Sequence, residues 1–138
     1  MKNNCVFCAL AAGEIPSFKI YEDDRFLAYL DINPFSKGHT LVIPKEHYSC
    51  LAETPDDVLA ELIATVKKVA AKVCGALKSD GFNVVQNNGR AAGQEVEHVH
   101  WHVIPRFDGD GLAFWPQTKY ESMEAMNAMA ERIRARIV

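Results

Sequence analysis

HVHWHVIPR, residues His98 to Arg106, places three of the chain's five histidines at every second position, with apolar residues between them. Val99, Trp101, Val103 and Ile104 favour extended structure and run up to Pro105, so the stretch is predicted to be a β-strand. Alternate side chains of a strand point to opposite faces. His98, His100 and His102 are therefore expected on one face, about 6.6 Å apart at about 3.3 Å of rise per residue, with Val99, Trp101 and Val103 on the other. Imidazole is a poor core filler and needs a partner for each buried nitrogen, so folding alone does not select such a face. A solvated row of surface histidines is the competing reading.

Moving outward, Phe82 to Gln86 reads as a strand joined to the histidine strand by NNGRAAGQEVE, residues 87–97. Thr40 to Ile43 reads as another, stopped by Pro44. FKIYEDDRFLAYLDINP, residues 18–34, reads as two strands around an acidic turn at Glu22 to Asp24, the second ended by Pro34. A helical turn is expected over Cys5 to Ala12, closed by Gly13. The clearest helix is predicted from Thr54, as a cap before Pro55 with Asp57 completing a capping box. Its apolar stripe is Leu59, Leu62, Ile63, Val66, Val69, Val73 and Leu77, and Gly81 is expected to end it. A last helix from about Tyr120, within a C-terminal extension of about 118–138, carries Met123, Met126, Ala130, Ile133 and Ile137 on one face. Strands come in runs, which predicts an α+β fold: an antiparallel sheet of about five strands with helices gathered on it.

The chain has 138 residues, 49% hydrophobic and 24% charged, the composition of one globular domain with a core of its own. A net charge of −3 argues against a protein that wraps a nucleic acid polymer. No apolar run reaches the roughly 20 residues needed to span a membrane. The N-terminus does not resemble a signal peptide, so a cytoplasmic location with reduced cysteines is expected.

His39 and His47 flank the Thr40 strand, so all five histidines are able to converge. HVHWHVI, with GHTLVIPKEH upstream and NNGRAAGQEVE immediately before it, resembles the histidine triad (HIT) family over most of the chain, about Phe7 to Arg106. The resemblance implies a homodimeric domain that hydrolyses or transfers nucleotidyl groups at an α-phosphate. Its substrates would be nucleoside phosphoramidates, aminoacyl-adenylates or dinucleoside polyphosphates. It implies that His100 attacks phosphorus while His98, His102 and His39 orient it or hydrogen-bond phosphate oxygens. The chemistry stands independently of the resemblance: a neutral imidazole, with a reference pKa near 6.5, is a competent nucleophile when one nitrogen's proton is held by an acceptor.

Gly89 and Gly93 permit close backbone approach to an anion, although a plain turn would also use them. The resemblance assigns phosphate contact to Asn87, Gly93, Gln94, Glu95 and Val96. Glu95 departs from the serine or threonine of several branches and, as a carboxylate, cannot donate to phosphate. Asp31 matches a ribose-binding position, and Phe7, Ile15 and Ile32 match positions that enclose the base; each also suits a core role.

Cys5 and Cys8 form a CxxC, the spacing of two thiolates on one tetrahedral zinc. The resemblance supplies the other two ligands as His47 and His98, making the zinc structural and leaving no cofactor required for the chemistry. A thioredoxin-like redox pair is the alternative, but no strand precedes the motif. Two functional alternatives also stand: a metal-dependent hydrolase using the histidine strand, and a non-catalytic nucleotide-binding regulator.

Overall fold

A computed structural model describes residues 4–113 and 115–137. The elements run α1 (Val6–Ala11), β1 (Lys19–Glu22), β2 (Phe26–Leu30), β3 (Thr40–Pro44), α2 (Asp56–Leu77), β4 (Gly81–Gln86), β5 (Trp101–Arg106) and α3 (Met123–Arg134). The five strands form one sheet in the order β1-β2-β3-β5-β4, every pairing antiparallel. This is the α+β architecture expected from the runs of strands.

The period-two alternation sorts the core into two layers. Phe26 and Ala28 of β2, Val42 of β3, and Val99, Trp101 and Val103 face α2, where they pack with Val58, Leu62, Val66, Val69, Ala70 and Val73. Leu27 and Tyr29, Leu41 and Ile43 point the other way and pack with Phe7 and Leu10 of α1. Residues on both faces of β2 and β3 are buried, which is why FLAYL and TLVIP read as continuous apolar runs. The histidines take the α1 side. A buried leucine or valine on such a face is worth about 1.5–3 kcal/mol relative to exposure, so α2, with Leu62 and Val69 fully buried, clamps the sheet from behind the site.

Several boundaries differ from expectation. Thr54 does not cap α2: its hydroxyl donates to the carbonyl of Cys50 at 2.9 Å, the side chain is buried, and the helix begins at Asp56. The helix ends at Leu77, before Gly81, because Lys78 takes the left-handed conformation (φ 52°) and its N–H closes on Cys74; Gly81 instead opens β4. Ile63 and Leu77, placed on the buried stripe, are exposed. β2 stops at Leu30, short of Pro34, and β5 begins at Trp101, so His98 and His100 precede the hydrogen-bonded ladder while keeping the strand's alternation. The last helix starts at Met123, capped by the Ser122 hydroxyl, which accepts from the Ala125 N–H.

Gly38 has φ +96°, and a Cβ there would stand 2.3 Å from Cδ1 of Leu77 and 3.2 Å from Cγ of Pro105. Among the described residues, exposed apolar side chains include Phe82 and Val84 on the edge strand β4 and Met123, Met126 and Ile133 on α3, which buries no residue; Ile137, expected on the same helical face, lies beyond the helix end. No helix of the described residues is long and apolar enough to cross a membrane.

Candidate active site and metal centre

The histidine face is buried. His98 is 0% exposed and His100 5%, which replaces the picture of a solvated surface row. Backbone acceptors and donors fix the ring protons. The carbonyl oxygen of His98 can only accept, so the 2.7 Å contact from His100 means that Nδ1–H donates and Nε2 keeps a free lone pair. The Phe35 N–H donates to Nδ1 of His39 at 3.0 Å. Neutral His39 then carries its proton on Nε2 and donates to Nδ1 of His102 at 2.8 Å, which puts the His102 proton on Nε2. Burial pushes the imidazole pKa of His100 and His39 down, and that of His102 down to about 4, with the neighbouring His100 and His39 adding to it. The three rings are therefore neutral at physiological pH.

His100 and His102 line a cavity of about 500 Å³. Phe7, Ile15, Asp31, Ile32, Gly93, Glu95 and Val96 line it too. Nine of the eleven residues expected at a nucleotide site thus meet at one place. Asn87 and Gln94 do not line it. Gln94 is buried and braces the glycine loop: its Nε2 donates to the carbonyls of Ser49 (2.6 Å) and Val96 (3.0 Å), and its Oε1 accepts from the Gly89 N–H at 2.8 Å. Gly89 and Gly93 have φ of 81° and 87°, so the loop depends on glycine for its shape. Asp31 anchors the Asn33 N–H at 2.8 Å and stands 3.8 Å from Nε2 of His39.

The second cluster sits beside the first. Cys5 caps α1, Cys8 lies in its first turn, and their sulfurs approach His98 Nδ1 at 3.4 and 3.6 Å; Cys8 Sγ is 3.4 Å from His47 Nδ1, and the two Nδ1 atoms are 3.2 Å apart. Around an ion with bonds of about 2.3 Å to sulfur and about 2.05 Å to nitrogen, tetrahedral edges measure about 3.5 Å (S–N) and about 3.3 Å (N–N). These four distances match those edges, and the four residues could hold a metal ion. His98 Nε2–H donates to the Pro44 carbonyl at 2.7 Å, which turns the Nδ1 lone pair toward the cluster. Both nitrogens of His98 are engaged, and it does not line the cavity.

Tyr29 and Leu41 also line the cavity, and no sequence motif singled them out. Their period-two positions opposite Ala28 and Val42 were the available signal. Burial, then the charge of Asp31, pushes the Tyr29 hydroxyl pKa up; that hydroxyl has no hydrogen-bond partner among the described residues. The backbone groups of Pro44 and Phe35 had no sequence signal at all.

A sheet carrying alternate histidines above a glycine loop is the arrangement of a histidine triad protein. The family model described as the HIT domain matches residues 12–109, and the chain belongs to that family. Over 136 residues it is 43% identical to the adenosine 5'-monophosphoramidase hnt1 of Schizosaccharomyces pombe, covering 97% of this chain and 98% of that one. Among solved structures it matches SMU.412c from Streptococcus mutans UA159 with a TM-score of 0.93 at 41% identity, covering 100% of this chain and 88% of that one. A zinc-bound histidine triad family protein from Mycobacterium smegmatis matches with a TM-score of 0.77 at 42% identity, covering 96% of each chain.

Proposed function

We propose that the protein is a nucleotidyl hydrolase or transferase. It cuts at the α-phosphate of a nucleoside phosphoramidate or dinucleoside polyphosphate through a covalent nucleotidyl-His100 intermediate. The observation that carries this reading is the 2.7 Å bond from His100 Nδ1–H to the His98 carbonyl, which leaves Nε2 unprotonated on a ring that lines the cavity. In the first step Nε2 bonds to phosphorus, and the bond to the leaving group breaks with its electron pair departing on that group. Water then attacks phosphorus, the N–P bond breaks with its electron pair returning to Nε2, the proton lost by the water neutralises the departed group, and the nucleotide leaves. The Nε2–H of His102 is the donor to a phosphate oxygen, set in place through His39. Gly93, Glu95 and Val96 flank the phosphate, Asp31 takes the ribose, and Phe7, Ile15 and Ile32 enclose the base. Asn87 and Gln94 act from behind the loop. The activity in the name of the fission yeast relative supports this substrate class.

Zinc is the proposed ion at Cys5, Cys8, His47 and His98. Two thiolates and two imidazoles suit it, the Mycobacterium smegmatis relative is zinc-bound, and four protein ligands leave no position for substrate. Bound there, it ties α1 to the histidine segment and takes no part in the chemistry.

The protein is proposed to work as a single domain in a cytoplasmic homodimer, for which the exposed β4 edge and the bare apolar face of α3 are available surfaces. Its partner is a small nucleotide, with no nucleic acid polymer and no membrane. A metal-dependent hydrolase is the second reading, because Asp31, His39 and His102 also come within reach of one ion. The 2.8 Å His39–His102 contact favours the first reading, since it is shorter than the nitrogen–nitrogen edge of about 3.3 Å that a shared tetrahedral ion requires.

The test is AMP release from an adenosine phosphoramidate. Wild-type turnover is expected to survive chelation while the fold holds, and His100→Ala is expected to abolish it. Unchanged turnover in His100→Ala would end the covalent reading, and tight AMP binding with no turnover on any nucleotidyl substrate would replace it with the regulator.

A further inference from the structure

Phe7 lies between the two cysteines of the metal cluster in sequence and between the two clusters in space. Its ring is 6% exposed and stands edge-on to His98 at 5.8 Å and to His100 at 5.1 Å between centroids. It also forms part of the cavity wall. A second link runs through one residue: His98 turns Nδ1 to the cysteine sulfurs while its own carbonyl holds the Nδ1–H of His100. Only six residues make up α1, too few to hold a helix in water unaided. Its position rests on the two cysteines, on Phe7 and Leu10 in the core, and on whatever occupies the two clusters.

We propose that Phe7 and the His98 carbonyl couple the metal centre to the nucleotide cavity, so that zinc and nucleotide each raise the affinity for the other. This inference rests on the zinc and nucleotide assignments made above. An ion on Cys5, Cys8, His47 and His98 fixes both α1 and the His98 peptide. A nucleotide against Phe7 and His100 fixes the same two elements from the opposite side. Whichever ligand binds first bears the cost of ordering them, and the second finds them already ordered. Linkage requires the enhancement factor to be equal in the two directions. Besides enclosing the base, Phe7 thereby positions the two rings it touches and α1.

The experiment measures the dissociation constant of Zn²⁺, by competition with a chelator, with and without saturating AMP. It also measures that of AMP by calorimetry on zinc-loaded and zinc-stripped protein. On the order of 5-fold or more tightening is expected, equal in both directions. Phe7→Leu is expected to bind AMP more weakly with or without zinc, because Phe7 encloses the base, and in addition to lose most of this factor, which compares the two affinities within one variant. A zinc ion that merely stabilised the fold would leave the factor intact in Phe7→Leu. In wild-type protein, amide hydrogen exchange over residues 6–11 is expected to slow with Zn²⁺ alone and with AMP alone, a readout that does not depend on the variant folding. Independent binding in wild-type protein, an undiminished factor in Phe7→Leu, or exchange that neither ligand alters overturns the coupling. A wild-type protein that takes no AMP at all overturns the cavity assignment, and the coupling with it.

Discussion

His39 Nε2 lies 2.8 Å from Nδ1 of His102, and the direction of that bond is dictated by a main-chain N–H four residues before His39. The Phe35 amide occupies the far nitrogen of His39, so the proton between the rings belongs to His39, and His102 is left to offer its own proton from Nε2. Replacing His39 by alanine frees His102 to adopt the other tautomer. Under the proposed mechanism kcat on an adenosine phosphoramidate is expected to fall by about 10²-fold with KM little changed, because a donor to the reacting phosphate is lost while the base and ribose contacts remain. Steady-state kinetics on the variant check this; an unchanged kcat would remove the relay from the mechanism.

The four-atom metal cluster predicts a stability signature. Cys5→Ser is expected to lower the melting temperature by several degrees, and a chelator should lower the wild-type value in the same way while leaving the variant where it is. Thermal unfolding of both proteins, each with and without chelator, checks it. A variant that melts with the wild type would argue that α1 is held by Phe7 and Leu10 alone.

Acid should act on the site in a defined window. Burial lowers the pKa of His102 to about 4, whereas an unfolded chain binds that proton near 6.5. Between these values the unfolded state holds more protons than the folded one. The stability that His102 contributes is therefore present above pH 6.5 and lost as the pH falls toward 4. His100 shifts in the same direction, chiefly through burial, so its Nε2 stays unprotonated through neutral pH. Turnover is expected to be flat around pH 7 and to fall only below the ordinary imidazole range. A pH–rate profile alongside denaturation midpoints at pH 7 and 5 checks both; an acid limb centred above pH 7 would contradict the burial of His100.

Gly38 gives a prediction remote from the chemistry. Its φ of +96° strains any other residue; the overlap with Leu77 falls on the far end of a flexible side chain, and the buried Pro105 ring at 3.2 Å must give slightly as well. Gly38→Ala is therefore expected to cost about 1–2 kcal/mol, most of it backbone strain. A fall of about 3–8 °C in melting temperature should register it. Adding Leu77→Ala should restore little of the loss; full recovery would show that side-chain overlap was the cause.

Residue spacing foretold most of the sheet and the site because both depend on period-two alternation. Phe26 to Leu30, Thr40 to Pro44 and His98 to Arg106 each assign their own faces. The missed features depend on groups that no residue type announces. The carbonyls of Pro44 and His98 and the amide of Phe35 set the ring protons of His98, His100 and His39, and through His39 that of His102, yet almost any residue would supply them. The α2 boundaries differ from the sequence expectation for a related reason. Thr54 had a competing acceptor in the Cys50 carbonyl, and Lys78 took the left-handed turn that glycine usually fills. In both places a local hydrogen bond, from Thr54 to the Cys50 carbonyl and from the Lys78 N–H to the Cys74 carbonyl, sets the boundary.

Tyr29 pairs with Leu41, and Leu41 in turn with His102, in one continuous ladder. Greasy packing against α2 and imidazole chemistry above α1 are read from the same string of residues, one on the odd beats and one on the even. Inserting a single amino acid between Val99 and Trp101 would swap the upstream beats, sending His98 toward the long helix and Val99 toward the metal. Hydrophobic support and reactivity would fail together, so drift in the length of this segment is restricted to steps of two.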